Sequence, residues 1–283
     1  MLGPDREGDP EVTSPLNLPS AGPEPIPGDA AVAAVLGYAV ARRPLYYRAP
    51  NARTGRWAEV PAFGYERFDR RPVPDAPLGE VDILTAEGLH GRLGREEWAA
   101  MAAALPAVQS LADDVVTRAA GRAFWELPED EFSVLAEPGT VGALLRTLGE
   151  LCASTGASHR HVTAALHHRH PELFPLLHTA TRWALLPHGR EGDSGLDAVI
   201  HRELSHSAEA FAGLEAALHA EGVALTRLRL HDVLLWLSAT LRFEHAVAAG
   251  RPGQRAVHAG SRPVTPSSRS STRASSGTGT AGP

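Results

Sequence analysis

The stretch from Ser154 to Pro187 restricts the fold most, because its glycine and prolines fix where helices can begin and end. Ser158 is a good N-cap, since its hydroxyl can accept a hydrogen bond from a free N–H of the first turn. The helix that follows must end near His170, because the residue before a proline is disfavoured in the α region. Pro171 then suits the first turn of another helix. The pattern predicts a helix, a hairpin turn at Gly156, a helix, a proline break and a further helix.

The rest of the hydrophobic pattern predicts a mainly α-helical protein with one small N-terminal β-hairpin. The only convincing strand signal is the pair of segments 45–48 and 56–60, separated by turn-forming residues. Asp29 is expected to cap the first helix and Thr85 the second. The other predicted helices cover about residues 96–104, 107–120, 140–153, 195–220 with a break near 206, and 226–248.

Both ends of the chain have the composition of disordered segments. Residues 1–28 are rich in proline and glycine, and six acids stand against one arginine through Asp29. Residues 250–283 are rich in serine, threonine and glycine and contain five arginines without an acid. We therefore predict an acidic disordered tail over 1–28, a single helical domain over 29–249 and a basic disordered tail over 250–283.

The composition excludes several kinds of chemistry. The 283 residues include 27 basic side chains, all of them arginine, so no lysine can form a Schiff base. Cys152 is the only cysteine, which excludes an internal disulfide and a cysteine-built metal site. The N-terminus lacks a cationic leader, and no run approaches the ~20 apolar residues of a membrane-spanning helix. We expect a cytoplasmic protein with no membrane partner.

The turn at Gly156 has the features of a phosphate-binding site. The helix N-terminus after Ser158 offers free N–H groups and the positive end of a helix dipole. From residue 156 to 190 four arginines stand against one acid, accompanied by seven histidines. We predict phosphate binding by Gly156, Ser158, Arg160 and Arg169. The prediction requires Arg160, Arg169 and Arg182 to share one exposed face with the helix terminus.

Asp232 is the carboxylate that most needs an explanation, because it lies in the most apolar helix of the chain. A buried carboxylate needs a partner, because an unpaired buried charge is costly. One interpretation is a structural tie to an arginine or to the end of another helix. The other is a functional pocket, where buried carboxylates with shifted pKa values cluster. His178, Arg182 and Asp232 form the candidate pocket.

The fourteen histidines suggest a metal site, but their spacing is poor for one. His167 and His170 are three residues apart, yet the proline break follows directly. His201 and His206 are five apart and therefore point about 140° away from each other on a helix. We predict no metal and no cofactor.

Three segments resemble a family of uncharacterised, mostly actinobacterial proteins, a domain-of-unknown-function family without an assigned activity. The segment 168–178, H-R-H-P-E-L-F-P-L-L-H, is similar to that family's K-R-P-x-L-x-P-x-x-D stretch. Residues 228–237, L-R-L-H-D-V-L-L-W-L, are similar to its L-R-x-x-D-x-x-L-W helix, and residues 83–89 to its I-T-A-x-x-L entry. The resemblance covers roughly residues 60 to 240.

The Gly156 hairpin also resembles, more distantly, that of the helix-hairpin-helix DNA glycosylases. In that superfamily the hairpin amides grip a DNA phosphate, and an aspartate about twenty-two residues downstream does the chemistry. That offset leads from Gly156 to His178, and Ser158 stands at the second glycine of the motif. A histidine has the wrong charge to stabilise a cationic sugar-like transition state. The resemblance therefore implies phosphate binding without release of a base.

Together these patterns indicate an uncharacterised helical protein that binds nucleic acid, with DNA as the expected partner, and does not catalyse a reaction. The alternative is a protein-interaction or structural role, in which the arginines solvate a helix face and the tails recruit another protein. A base-excision-type glycosylase is the third interpretation. The first two differ in their response to salt, because phosphates neutralised by arginine release counterions.

Overall fold

The computed structural model describes residues 14–51, 53–135 and 137–251. Within these ranges it shows ten α-helices and one two-stranded antiparallel sheet, which confirms the prediction of a mainly helical protein with a small N-terminal hairpin. The helices are α1 (Gly28–Val40), α2 (Glu80–His90), α3 (Arg95–Ala119), α4 (Val141–Thr155), α5 (His159–Arg169), α6 (Thr179–Leu185), α7 (Leu196–His206), α8 (Ala208–Ala220), α9 (Arg227–Ala239) and α10 (Phe243–Gly250). The strands are β1 (Arg42–Tyr47) and β2 (Arg56–Pro61).

Residues 14–28, which we predicted to be disordered, belong to the fold. Leu16 and Leu18 are buried in the core, and Leu16 forms an antiparallel bridge with Ile26. Ser20 donates its N–H and its hydroxyl to the two carboxylate oxygens of Glu203, over 2.9 and 2.7 Å. Two leucines and one buried hydrogen-bonded pair therefore outweigh a proline-rich composition. The predicted disorder of residues 1–13 and 252–283 lies outside the described residues.

Helix α1 packs closely against α10, and two glycines make this approach possible. A Cβ at Gly37 would lie 1.9 Å from the carbonyl oxygen of Ala246, and one at Gly250 would lie 1.8 Å from that of Ala33. Real side-chain carbons cannot come so near to backbone oxygen, so neither position accepts a larger residue. The close contact fixes α10 beside the N-terminal helix.

Helix α9 runs through the centre of the described fold. Nine of its thirteen residues are buried, including the ionisable side chains of Arg229, His231 and Asp232. The N-cap Thr226 accepts a hydrogen bond from the N–H of Arg229 and donates its hydroxyl to the carbonyl of Pro171. We predicted one long helix here, but the chain breaks at residues 240–242, where Leu241 has a φ of +56°.

Helix α2 begins earlier than predicted. Thr85, which we expected to cap it, lies inside the helix and donates its hydroxyl to the carbonyl of Val81 over 2.9 Å. The first turn is closed instead by Asp82, whose carboxylate accepts the N–H of Gly79 over 2.9 Å. A capping carboxylate three residues into the helix moves its start to Glu80.

Helix α3 is continuous, although we predicted two helices separated at Pro106. Pro106 lies on the exposed face of the helix, where water can bind the carbonyl that loses its N–H partner. By length and composition alone, α3 is the one described helix that could cross a membrane. The opposite face, with Met101, Val108 and Val115, packs into the core as in an ordinary amphipathic helix.

The centre of the chain partly follows the prediction. Helices α4 and α5 are joined by a three-residue turn, in which Gly156 has a φ of +74°, and α5 ends at Arg169 before the proline. The helix expected from Pro171 onward is absent until Thr179. Residues 174–178 have no regular secondary structure, and Leu173, Phe174, Leu176 and Leu177 are buried. These side chains are therefore buried in the core without forming the predicted helix.

Candidate functional site

The predicted phosphate turn does not have the predicted cap. Ser158 occupies the N-cap position of α5, but its side chain makes no capping hydrogen bond. Its hydroxyl lies 2.7 Å from Nδ1 of His161, whose Nε2 donates to the carbonyl of Gly91 over 3.0 Å. Burial lowers the pKa of His161, which favours the neutral ring that this arrangement uses. Gly156 and Arg160 are exposed beside this turn.

Arg169 is fully engaged elsewhere. Its guanidinium forms a two-point ion pair with Asp82, over 2.6 and 2.7 Å. The remaining N–H groups donate to the carbonyls of Pro74, Ala76 and Pro77 in the proline-rich connector. All five donors are therefore used, and none is left for a phosphate. The condition that Arg160, Arg169 and Arg182 share one exposed face is not met.

Two of the three candidate pocket residues come together. Nε2 of His178 lies 3.4 Å from Oδ2 of Asp232. Arg182 does not join them: it is exposed and lines a different cavity, of about 580 Å³, together with His159 and Cys152. Burial raises the pKa of Cys152 to about 11, so the thiol is protonated at neutral pH and is a poor nucleophile.

Arg229 is the centre of a buried network that the sequence analysis missed. It is 2% exposed, forms ion pairs with Asp69 at 2.6 Å and with Asp232 one helical turn away, and donates to the hydroxyl of Tyr38 over 2.6 Å. The Tyr38 hydroxyl donates in turn to Asp69 over 2.7 Å. The arginine partner expected for Asp232 is thus present within the same helix.

The electrostatics of this network keep its groups in defined protonation states. Burial disfavours the charged form of Asp232, but His178 and Arg229 outweigh that effect and lower its pKa to about 2. Burial raises the pKa of Tyr38 well above its ordinary value, so its hydroxyl remains a donor. Asp232 is therefore a carboxylate in a nearly dry environment.

A chain of histidine rings extends from Asp232 toward the Ser158 turn. The ring of His90 lies 4.6 Å from that of His178 and 5.2 Å from that of His161. Burial and the neighbouring His178 lower the pKa of His90 to about 2, so this ring is neutral. In the described residues no group of three or more His, Cys, Asp or Glu side chains is placed to hold a metal ion.

A small cavity opens beside Asp232. Its volume is about 210 Å³, and its wall combines three guanidiniums, one carboxylate, one imidazole and three large aromatic rings. Among the chemically distinctive lining residues are Tyr38, Phe63, Arg67, His178, Arg229, Asp232, Trp236 and Arg242. Three titratable groups with shifted pKa values, those of Tyr38, Arg229 and Asp232, line this cavity, and such groups are typical of a functional site.

The hairpin β1–β2 forms a second distinctive surface. Strand alternation and the register, in which Tyr47 lies opposite Arg56, place one set of side chains on a face that contains no acid. We call it the basic face. It carries Arg43, Leu45 and Tyr47 of β1 with Arg56, Ala58 and Val60 of β2.

The other face of the hairpin is aromatic. Tyr46 and Trp57 pack edge to face with their ring centres 5.2 Å apart, and Trp57 is 69% exposed. The hydroxyl of Tyr46 accepts the N–H of Gly55 over 3.0 Å, which closes the turn. Arg42 on this face forms an exposed ion pair with Glu66. Arginine and aromatic residues are clustered in the sequence of this hairpin, but from the sequence they predicted only its strands.

Comparisons of the chain with protein-family models, with curated proteins and with solved structures return no match.

Proposed function

We propose that the protein binds single-stranded nucleic acid through the hairpin β1–β2, without catalysing a reaction on it. The observation that carries this proposal is the basic face, where Arg43, Arg56 and the exposed ring of Tyr47 lie on one side of the hairpin with no acid among them. Neither arginine has an ion pair with any residue that the structure describes. Both guanidiniums are therefore free to bind phosphate.

The chemistry of the hairpin matches the two parts of a nucleotide. Arg48 and Arg53 lie in the segment that joins the two strands, and both are exposed. Arginine binds phosphate through paired N–H donors, and an exposed aromatic ring offers a platform on which any base can stack. Unpaired bases are free to stack in this way, whereas bases inside a duplex are not. The arrangement thus favours a single strand and predicts little dependence on sequence.

The proposal moves the nucleic-acid interface away from the Gly156 turn. Arg169 is held by Asp82, and the hydroxyl of Ser158 is held by His161. Arg160 is the remaining exposed cation of the predicted phosphate site. It serves as a matched control, because it carries the same charge on the same body at a distance in sequence from the hairpin.

The test is binding of a fluorescent single strand of about 12 nucleotides, measured by anisotropy at about 50 mM salt. We expect the double variant Arg43→Glu and Arg56→Glu to bind at least about tenfold more weakly than the wild type. Arg160→Glu should bind like the wild type. A loss in Arg160→Glu alone would place the interface at the turn, equal losses in both variants would mean general charge repulsion instead of a defined interface, and no binding by the wild type would end the proposal.

Stacking is tested separately at Tyr47. Replacement of an aromatic platform by alanine typically costs about 1–3 kcal/mol of binding free energy per base. We therefore expect Tyr47→Ala to bind the single strand between about fivefold and 150-fold more weakly, while Tyr47→Phe retains most of the affinity. A loss in Tyr47→Phe equal to that in Tyr47→Ala would show that the ring face is not the contact.

The alternative is a protein partner, and the aromatic face of the hairpin is the observation that favours it. Tyrosine, tryptophan and arginine are enriched at protein interfaces, and Tyr46 and Trp57 expose a contiguous apolar surface. A partner docked there would not need phosphate. If Trp57→Ala abolishes a protein contact while the basic-face variant keeps its full affinity for the single strand, the two roles belong to opposite faces.

Release of a base from DNA is not part of the proposal. His178 stands at the position where the glycosylase resemblance implies an aspartate. The nearby carboxylate of Asp232 is paired with Arg229 at the bottom of a small cavity. Release of a base from damaged duplex DNA by the purified protein, abolished in His178→Ala, would contradict this part of the account.

A further inference from the structure

Two buried side chains that line this small cavity have hydrogen-bonding capacity that the described protein atoms do not use. Oδ2 of Asp232 is paired with Arg229 and lies near His178, whereas Oδ1 is buried and has no partner among the described residues. Four of the five N–H groups of Arg229 donate to Asp69, Asp232 and Tyr38. The fifth, the second N–H of Nη1, has no acceptor among the described residues. Both residues are at least nine-tenths buried and line the cavity.

An unused acceptor and an unused donor on two ion-paired groups specify a complementary ligand edge. A buried charged oxygen without a partner is unfavourable, so a ligand that donates to Asp232 removes that penalty. The same ligand can accept from Nη1 of Arg229. Groups that present a donor next to an acceptor are amides and the amide-like edges of heterocyclic rings.

The cavity wall indicates a flat molecule. The rings of Phe63 and Trp236 meet edge to face, with their centres 5.9 Å apart, and Leu89 and Val233 complete the apolar part of the lining. The volume of about 210 Å³ is below the ~300–1,000 Å³ of sites for drug-sized ligands. A single ring fits this space better than a larger molecule.

Two further guanidiniums indicate a negative charge on that molecule. Arg67 and Arg242 line the cavity and are exposed, and neither has an ion pair within the described ranges. The guanidinium of Arg242 lies 5.2 Å from the ring centre of Trp236. The three arginines and one aspartate of the lining together carry a charge of +2.

We propose that this cavity binds a small planar molecule that has an amide-like edge and carries an acidic group. The edge pairs with Asp232 and Arg229, the ring lies against Trp236, and the acidic group reaches Arg67 and Arg242. The inference is independent of nucleic-acid binding by the hairpin. Arg43→Glu with Arg56→Glu should therefore bind the molecule with unchanged affinity.

The test compares three probes by isothermal titration calorimetry at pH 7. Orotate has the ring, the amide edge and a carboxylate, uracil lacks the carboxylate, and benzoate lacks the amide edge. We expect orotate to bind at least about tenfold more tightly than either of the others. Equal affinity for all three, or no binding of orotate at millimolar concentration, would overturn the proposal and leave water as the occupant.

Two variants locate the bound probe. Arg242→Glu changes an exposed side chain and should weaken orotate at least about tenfold while leaving uracil unchanged. Asp232→Asn keeps the shape of the side chain and should weaken both orotate and uracil. If circular dichroism shows that Asp232→Asn is unfolded, Arg242→Glu and the three-probe comparison decide whether the cavity binds orotate. Orotate binding that neither variant alters would place the molecule elsewhere and overturn the proposal.

Discussion

Arg229 is the residue on which the interior depends most. It compensates two buried carboxylates, Asp69 and Asp232, and its guanidinium also lies over the rings of Tyr38 and Phe68, 5.5 and 5.3 Å from their centres. A buried ion pair gives little net stability over an apolar replacement, but removal of one partner leaves an uncompensated charge. The network thus makes a single arginine necessary for the fold.

Replacement of Arg229 by methionine tests this dependence. Arg229→Met keeps much of the side-chain volume but leaves Asp69 and Asp232 without their cation, so we expect the free energy of unfolding to fall by about 3–5 kcal/mol. Arg67→Met, at an exposed arginine nearby, should change it by no more than about 0.5 kcal/mol. Urea unfolding of both variants at pH 7 measures the difference, and a loss below about 1 kcal/mol for Arg229→Met would contradict the account.

Buried histidines make the protein sensitive to mild acid. Burial and Arg229 lower the pKa of His167 from 6.5 to about 4, and its Nδ1 donates to the carbonyl of Phe174 over 2.7 Å. As the pH falls, His167 is therefore protonated near pH 6.5 in the unfolded chain but only near pH 4 in the folded chain. The stabilising contribution is complete above pH 6.5 and is lost as the pH falls from 6.5 to about 4.

The pH prediction is a loss of up to about 3 kcal/mol from His167 across that window. Burial also lowers the pKa of His90, His161 and His201, so the total loss of stability on acidification is larger than the loss from His167 alone. His167→Gln retains an N–H donor without a titrating ring, and its stability should fall less between pH 6.5 and 4. Urea unfolding at several pH values provides the measurement; parallel curves for wild type and variant would contradict the assignment.

Residues 14–28 act as an element of the fold, tied to α7 and α9. Glu203 of α7 accepts two hydrogen bonds from Ser20 and lies 2.7 Å from Nε2 of His231 in α9. Leu18 of the same segment is buried in the hydrophobic core. Composition predicted disorder here because the two leucines are few among prolines, whereas the hydrogen-bond partners of Ser20 and Asn17 lie 183 and 190 residues away.

We expect Leu18→Ala to lower the free energy of unfolding by about 2–5 kcal/mol, the usual cost of a deleted core leucine. Leu135→Ala is the matched control, because Leu135 is 90% exposed and its truncation should cost no more than about 0.5 kcal/mol. Thermal or urea unfolding measures both. Equal effects would mean that the N-terminal segment does not support the core.

Helix boundaries show which elements the sequence could predict. The Gly156 turn, the end of α5 before Pro171 and the break after His206 follow from local backbone rules, and all three are present. The irregular segment 174–178 does not follow from them, because the sequence pattern favours a helix there and the side chains are instead buried in the core without forming one. Local backbone rules thus predicted where helices end, whereas tertiary packing determines whether the segments between those ends are helical.

The candidate site was predicted in part for the same reason. Asp232 stood out because a carboxylate in an apolar helix needs a partner, and Arg229 is that partner. Arg229 itself was not identified, since an arginine in a helix is ordinary until its burial is known. The meeting of Asp232 with Asp69 and Tyr38 depends on contacts across about 160 to 190 residues, which no local pattern contains.

Charge is distributed unevenly over the whole molecule. Residues 42–61 contain five arginines and one glutamate, a charge of +4, in a chain whose net charge is −6, so all other residues together carry −10. Apart from the basic segment 250–283, that remainder repels a polyanion, whereas the hairpin attracts it. The field of the whole protein thus orients a nucleic acid toward β1–β2.

The most direct test of the central claim is the salt dependence of single-strand binding. If Arg43, Arg48, Arg53 and Arg56 each neutralise one phosphate, the logarithm of the association constant should fall against the logarithm of salt concentration with a slope of about −3. In the double variant Arg43→Glu and Arg56→Glu the slope should shrink to about −1.4. A slope near zero for the wild type, or the same slope in wild type and variant, would contradict the assignment of the hairpin as the nucleic-acid interface.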